Sequence, residues 1–191
     1  MSLINRGRKS ACKDTFGGVK NVYLFSWTKY PFFDIKGVKS GVLTSYPNTT
    51  VYRFQTDSSN NAYDDSLIED NAYSQALTLD LKNIDAETTF DLDSYQNTRL
   101  GVIVEDYNGL FRLMGAYNGC DINSLKVVLG SGSSDFNGYQ LEISASERFK
   151  APLFTSLAAV GFIDGSTGTN FLLSDLLEIL TDESGNKLIY I

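Results

Sequence analysis

Short stretches in which apolar and polar side chains alternate place the strongest constraint on the fold of this chain. Within residues 72–82, Leu77, Leu79 and Leu81 share one side of an extended chain, and polar residues fill the other. Residues 139–145 alternate in the same way. A period of two is typical of strands with one buried face and one exposed face.

A β-hairpin is predicted around Asn108-Gly109, which separates two β-rich runs at residues 100–107 and 110–116. Asn-Gly between such runs is the strongest short-range hairpin signal, because both turn residues tolerate positive φ. Further strands are predicted at 19–27, 41–46 and 51–55, surface loops at 56–69 and 130–138, and a strand or loop edge at 124–129.

One helix is predicted within residues 84–97. Asp85 is a suitable N-cap, and Glu87 places negative charge in the first turn. Phe90 is expected to pack inward, with Leu92 or Tyr95 nearby. With about eight to ten short strands, this predicts a mainly β (α+β) fold, an antiparallel β-sandwich or barrel with one principal flanking helix.

The chain of 191 residues suits one domain, or one domain with an appended piece. Residues 1–18 are predicted to form an extended N-terminal arm that ends at Gly17-Gly18. Residues 19–152 form the predicted β-sandwich or barrel domain. Residues 153–191 are expected to be a C-terminal extension packed on that domain, ending in a hairpin within 176–191.

The absence of histidine excludes the largest number of functions. It removes the usual general base, the usual zinc ligand and every Ser-His or Cys-His nucleophile pair. The glycine-rich stretches at 130–134 and 164–169 lack the Gly-Lys-Ser/Thr ending of a phosphate loop. We therefore expect no enzyme, no catalytic residue, no metal site and no cofactor. Carboxylate-based or lysine-based catalysis does not need histidine, and a hydrolase that uses two converging carboxylates stays open as an alternative.

Cysteine content and hydropathy indicate where the protein is made. Cys12 and Cys120 are isolated and look like reduced thiols. The longest apolar runs are too short for a membrane span, and residues 1–18 lack the apolar middle of a signal peptide. The sequence therefore predicts synthesis in a cytoplasm and no membrane partner.

Charge is distributed unevenly along the chain. Residues 1–40 hold eight of the 16 basic residues but two of the 23 acidic ones, which leaves an acidic remainder. A basic arm on an acidic body favours head-to-tail contacts between copies, through Arg6, Arg8, Lys9 and Lys13. A solvated terminus without a partner explains the same pattern equally well. A nucleic-acid-binding arm is disfavoured, because the acidic body would repel a duplex.

Tyr23, Phe25 and Trp27 alternate along the first predicted strand. The favoured interpretation is that these aromatic side chains are buried in a core or a subunit interface. Stacking on bases or sugars is the alternative.

The run from Arg99 to Gly119, the run Asn137–Glu147 and the following Ala151-Pro152 resemble the tail tube proteins of bacteriophages. Cys12 and the segment 17–24 are similar to the N-terminal part of those proteins. The resemblance spans residues 10–155, and the chain continues beyond it.

Tail tube proteins are β-sandwich or barrel modules with a helix. They form stacked, usually hexameric rings whose sheets join into one inner barrel. The resemblance therefore implies a structural virion protein of a phage tail, made in the host cytoplasm. Its partners would be other copies of itself and other tail or neck proteins, with a sheath as a further candidate. DNA would pass through the channel without specific binding.

In such a tube, residues 1–18 and a loop at 29–50 or 56–71 would bridge neighbouring rings. Acids on outward strand faces would line the bore, and Asp80, Glu105 and Glu142 are the candidates. A capsid-decorating protein, a head-tail connector and a glycan-binding host-surface module that uses exposed Tyr residues and Trp27 are the alternatives.

Overall fold

The computed structural model describes residues 16–31, 33–56, 60–68, 71–132 and 134–166. The described part is mainly β with two α-helices, so the predicted α+β class is confirmed. The strands are β1 Val19–Ser26, β2 Thr49–Gln55, β3 Ala62–Leu67, β4 Tyr73–Lys82, β5 Leu100–Asp106, β6 Phe111–Met114, β7 Asp121–Val128, β8 Gly138–Glu147, β9 Leu153–Phe154 and β10 Phe162–Asp164. The helices are α1 Ala86–Tyr95 and α2 Leu157–Val160, with a 3-10 turn at Val38–Ser40.

The strands form two sheets. The six-stranded sheet has the order β10-β2-β1-β5-β6-β9, and the four-stranded sheet has the order β3-β4-β8-β7. All neighbours pair antiparallel except β10 with β2. A bridge between Leu100 and Cys120 links β5 to the segment that enters β7.

The first core lies between the two sheets. One face of the six-stranded sheet contributes Val22 and Leu24 from β1 and Val102 and Val104 from β5. The facing side chains come from the alternating runs that the sequence predicted as strands, namely Leu77, Leu79, Leu81, Tyr139, Leu141, Ile143 and Ala145. The period-two pattern therefore reflects a sandwich in which β4 and β8 bury one face.

The second core covers the opposite face of the six-stranded sheet. Tyr23 and Phe25 lie there with Ile103, beneath side chains of the segment that follows β1 and of α2. Phe25 fits only because residue 101 is glycine, since a Cβ there would lie 2.0 Å from the Phe25 ring. Burial of Tyr23 and Phe25 confirms the core reading of the aromatic stripe, whereas Trp27 follows the strand and is partly buried.

Helix α1 connects β4 to β5 as predicted, and Asp85 accepts a hydrogen bond from the Thr88 N–H at 2.7 Å. Leu92 is fully buried in the first core, and Tyr95 packs against it. Phe90 is 75% exposed, so the prediction that it packs inward was wrong. Residues two positions apart do not share a face of an α-helix. Phe90 therefore points away from the core that buries Leu92.

The hairpin between β5 and β6 is present, but its loop has three residues rather than two. Gly109 has a φ of 76° whereas Asn108 does not have positive φ. The Asp106 carboxylate accepts hydrogen bonds from the Asn108 and Leu110 N–H groups, and Asp106 and Leu110 pair through their backbones. Such a loop is a type I turn followed by a glycine bulge.

Two of the predicted local structures were wrong. Residues 56–69 were expected to be a surface loop, yet β3 lies within them and pairs with β4 along its whole length. Residues 41–46 were expected to form a strand, but they make isolated bridges, such as Val42 with Leu153. In the six-stranded sheet, β9 and β10, which lie in the predicted C-terminal extension, are the two outermost strands.

The predicted arm up to residue 15 and the predicted hairpin at 176–191 lie outside the described residues. Arg6, Arg8, Lys9, Lys13 and Cys12 lie there too. Cys120 is described, and its thiol is free and fully buried.

Candidate assembly surface

The outer face of the four-stranded sheet is built from the residues that alternate with its core side chains. Because Leu77, Leu79 and Leu81 point into the first core, Thr78, Asp80 and Lys82 lie on the opposite face, as the sequence predicted. The strand pairing extends this rule across the sheet: Thr78 pairs with Ala62 and Glu142, and Glu142 pairs with Ser124. The whole face therefore follows from the register of four strands.

We call this surface the polar face. It consists of Ala62, Asp64, Ser66, Ser74, Ala76, Thr78, Asp80, Lys82, Gln140, Glu142, Ser144, Ser146, Asp121, Ser124, Lys126 and Val128. Its side chains are mostly small and polar, and it carries four acids and two lysines. The arrangement makes a polar, net negative surface without an aromatic side chain.

The three acids that the sequence singled out have different surroundings. Glu142 is exposed on the polar face. Asp80 lies on the same face but is buried, because Asn60 donates to its carboxylate at 3.1 Å and Asn61 accepts from its backbone N–H. Glu105 lies on the second-core side of β5 and is buried. Asp80 therefore lies on the outward strand face as predicted, although its side chain is buried there. The prediction of an outward face was wrong for Glu105.

Glu105 is the centre of a buried hydrogen-bond network instead. Its carboxylate accepts from Lys20 Nζ at 2.9 Å, Asn21 Nδ2 at 2.6 Å and Tyr23 Oη at 3.0 Å. Burial alone would raise the pKa of Glu105, but these three donors outweigh it and hold the pKa below its usual value. Burial and the neighbouring carboxylate raise the pKa of Tyr23 to about 12, so the phenol remains a donor. The group stabilises the first half of β1 against the end of β5.

Two acids on the polar face were missed by sequence reasoning. Asp64 was assigned to a loop because β3 was not recognised, and Asp121 precedes the residues read as a strand. The alternation of Ala62, Asp64 and Ser66 against Tyr63 was a weak signal for β3, because the inward series also contains an aspartate.

Both edges of the four-stranded sheet are open within the described part of the chain. β3 pairs with β4 on one side and β7 pairs with β8 on one side, and no other described strand pairs with either. A bulge at Asn123 interrupts β7, where the Asn123 amide and the Ser144 hydroxyl exchange hydrogen bonds of 2.8 and 3.1 Å. Ser124–Val128 is therefore the regular part of that edge. Long unpaired edges are templates for pairing with another chain.

The start of the described chain is fixed on the β5–β6 hairpin. The Asn108 side chain accepts from the Phe16 N–H at 3.1 Å and donates to the Phe16 carbonyl at 2.9 Å. Gly18 has a φ of 113° and lies against the Tyr107 ring. The described chain therefore begins at the tip of this hairpin.

A cavity of ≈ 500 Å³ opens between the sheets beside the start of β3. Polar groups from separate parts of the chain line it: Tyr63 and Asp65 from β3, Arg112 from β6, and Lys150. The Tyr63 hydroxyl and Asp65 Oδ1 are buried and have no hydrogen-bond partner among the described residues. Sequence reasoning missed this site, because its members lie far apart in the chain.

Two acids converge on this cavity, but the backbone engages both. Asp65 Oδ2 accepts from the Ala151 N–H at 3.0 Å, and Asp106 Oδ1 accepts two N–H groups of its own hairpin. Burial raises the pKa of Asp65, and the Ala151 hydrogen bond and the charges of Lys150 and Arg112 oppose that rise. The arrangement is that of a polar binding pocket with free donors.

Trp27 does not offer a flat exposed platform. Its ring lies against Gly119, where a Cβ would be 2.9 Å away, and its indole N–H is buried without a partner in the described residues. A sugar would need an accessible aromatic face, so this position gives no support to a glycan-binding role.

Within the described residues, no group of three or more Cys, Asp or Glu side chains is arranged to hold a metal ion. Across the same ranges, none of the helices has the length and apolar character required to cross a bilayer. No protein-family model matches the sequence, and no curated protein is significantly similar to it.

Proposed function

We propose that this chain is a structural subunit of the phage tail tube type, which works by joining the four-stranded sheets of neighbouring copies into a ring. The observation that carries the proposal is one sheet with a buried face, a small polar face and two open edges. The function is mechanical and uses no catalytic residue or cofactor. Its place would be the tail of a virion.

Strand direction supports closure by rotation alone. The four strands alternate in direction, so β3 and β7 run antiparallel to each other within one copy. A neighbour related by rotation about a ring axis would place its β3 antiparallel to the first copy's β7. The joint therefore has the ladder geometry that already exists inside each sheet. The contact is head-to-tail, and such contacts generate rings when the rotation closes.

The polar face suits the wall of a channel for DNA. Its four acids and two lysines give it a net negative charge, which repels a polyanion. Most of its side chains are small, and none of them is aromatic. Asp64, Asp121 and Glu142 are exposed on it and are the acids proposed to face the passing duplex.

The arm supplies the proposed contact between rings. Arg6, Arg8, Lys9 and Lys13 precede the point at Phe16 where the chain is fixed to the hairpin. A basic segment that leaves an acidic body favours the acidic surface of another copy. Copies of the chain and other tail proteins are thus the proposed partners.

Adjacent proline substitutions on β7 test the joint. In an antiparallel strand the N–H groups of successive residues point to opposite sides, so either Leu125 or Lys126 directs its N–H to the open edge. Proline at that position keeps the pairing of β7 with β8 but blocks its pairing with the β3 of a neighbouring copy. Proline at the other position removes a hydrogen bond between β7 and β8 and disrupts the fold.

We expect negative-stain micrographs of the wild type to show rings or tubes. The folded proline variant should remain a monomer with an unchanged circular dichroism spectrum. Proline variants at both positions that assemble like the wild type would contradict the proposal, as would a wild type that stays monomeric at every concentration.

A further inference from the structure

We infer that the cavity beside β3 receives the end of β7 from the neighbouring copy, and that the neighbour's Asp135 pairs there with Arg112 and Lys150. This inference rests on the proposed ring and names the contacts that fix its joint. It concerns a second copy of this chain as the occupant.

Strand direction brings the two parts together. The cavity is lined by Asn61, Ala62 and Tyr63, which lie at the start of β3. In an antiparallel joint the start of β3 lies beside the end of the neighbour's β7, which is Val128. The residues after Val128 are therefore carried to the mouth of the cavity.

The end of β7 carries apolar side chains that its own copy leaves uncovered. Val127 pairs with the buried Tyr139 and lies on the core side of the sheet, yet it is 54% exposed. Leu129, two residues further, is 73% exposed. Apolar atoms of Val104, Phe16 and the Tyr63 ring line the cavity and offer the missing surface.

The charges are complementary. Arg112 and Lys150 form no ion pair with any described residue. Asp135 is exposed, and one of its oxygens, Oδ2, accepts from the Ser131 N–H and hydroxyl and from the Gly132 N–H. These bonds fix the carboxylate in a turn, lower its pKa and leave Oδ1 for an external donor. An arginine can bind such a carboxylate in a defined geometry.

The unpartnered atoms of the cavity fit the same occupant. The Tyr63 hydroxyl is a buried donor that points to no described acceptor, and an incoming carboxylate would accept from it. Asp65 Oδ1 is a buried acceptor that an N–H group of the incoming turn would satisfy. Buried polar groups in native proteins are normally paired, and an occupant that brings a carboxylate and an N–H group would satisfy both atoms.

Two edge-blocked copies isolate this contact. The socket copy is full-length and carries the folded β7 proline variant, so that β3 is its free edge. The plug copy carries whichever of Asp65→Pro and Ser66→Pro remains folded, so that β7 is its free edge. The mixture can form one joint and stops at a dimer, which sedimentation equilibrium measures as a Kd.

Charge reversal then tests the pairing. Asp135→Lys in the plug copy and Lys150→Asp in the socket copy should each weaken the dimer about tenfold, as expected for the loss of roughly 1.4 kcal/mol. The two together should recover most of that loss, which a merely structural effect of either substitution would not produce. Asp93→Lys in the plug copy, on helix α1, is the matched control and should leave the Kd unchanged.

The outcomes separate the two ideas. A dimer with the same Kd in all four charge combinations would overturn this inference and leave the proposed ring intact. The absence of any dimer with wild-type charges would overturn both. Recovery in the double reversal supports the inference.

Discussion

Glu105 shows how one side chain can look like a surface group in the sequence and be structural in the fold. It alternates with Val104 as an exposed residue would, yet it accepts three hydrogen bonds inside the protein. Alternation distinguishes the two faces of a strand, but it does not say whether the second face meets water or another core. In β5 it meets another core.

Replacing Glu105 with glutamine should destabilise the protein by about 2 kcal/mol at neutral pH, because hydrogen bonds to a charged acceptor are lost or weakened. The pKa of Glu105 in the folded state lies below its ordinary value of 4.5. The stabilisation is therefore complete above that value and disappears as the pH falls through the lowered pKa. Urea unfolding of both proteins between pH 3 and about pH 8 measures this difference.

The exposed Glu142 is the matched control for that experiment. Glu142→Gln should change the unfolding free energy by less than about 0.5 kcal/mol at any of these pH values. A difference between the wild type and Glu105→Gln that is the same at low and neutral pH would show that the carboxylate charge contributes nothing.

At the scale of single elements, Leu92 is the one fully buried residue of helix α1. Leu92→Ala should cost about 2–4 kcal/mol, since the side chain is fully buried between the sheets. Phe90→Ala, on the same helix, should cost less than about 0.5 kcal/mol because the ring is 75% exposed. Thermal unfolding of both variants checks the contrast, and equal losses would mean that Phe90 is covered in solution.

The elements that sequence reasoning identified are those whose local signals agree with their tertiary surroundings. β4 and β8 alternate cleanly because one face is buried and one is open, and Asp85 caps α1 locally. The hairpin was predicted correctly with a different turn, because the Asp106 side chain stabilises a three-residue loop.

β3 could not be predicted, because its sequence carries an aspartate on both faces. Asp65 points inward and is accommodated by the Ala151 N–H and the polar cavity, which are contributed by distant segments. The cavity could not be predicted from the sequence for the same reason. Contacts of this kind depend on how the two sheets are stacked, and a local pattern contains no information about that.

At the scale of the whole molecule, the proposed channel makes a prediction about DNA. Assembled tubes that carry both Asp64→Lys and Glu142→Lys on the polar face should retain linear duplex DNA at low salt and release it as salt rises. Tubes that carry Glu87→Lys and Asp93→Lys on α1 should behave like the wild type. Co-sedimentation of labelled DNA with the tubes measures retention, and equal retention by both variants would exclude the polar face as the bore.

The unequal widths of the two sheets have a consequence for the number of copies in a ring. In the proposed ring the six-stranded sheet would form the outer layer and the four-stranded sheet the inner layer. With strands about 4.8 Å apart and layers about 10 Å apart, each subunit widens by about 10 Å over about 10 Å of radius. A subunit that widens in this way covers an angle of about one radian at the ring axis, so about six subunits close a circle. The copy number would then be a property of the subunit's cross-section, and the chemistry of the joint would only have to hold adjacent blocks together.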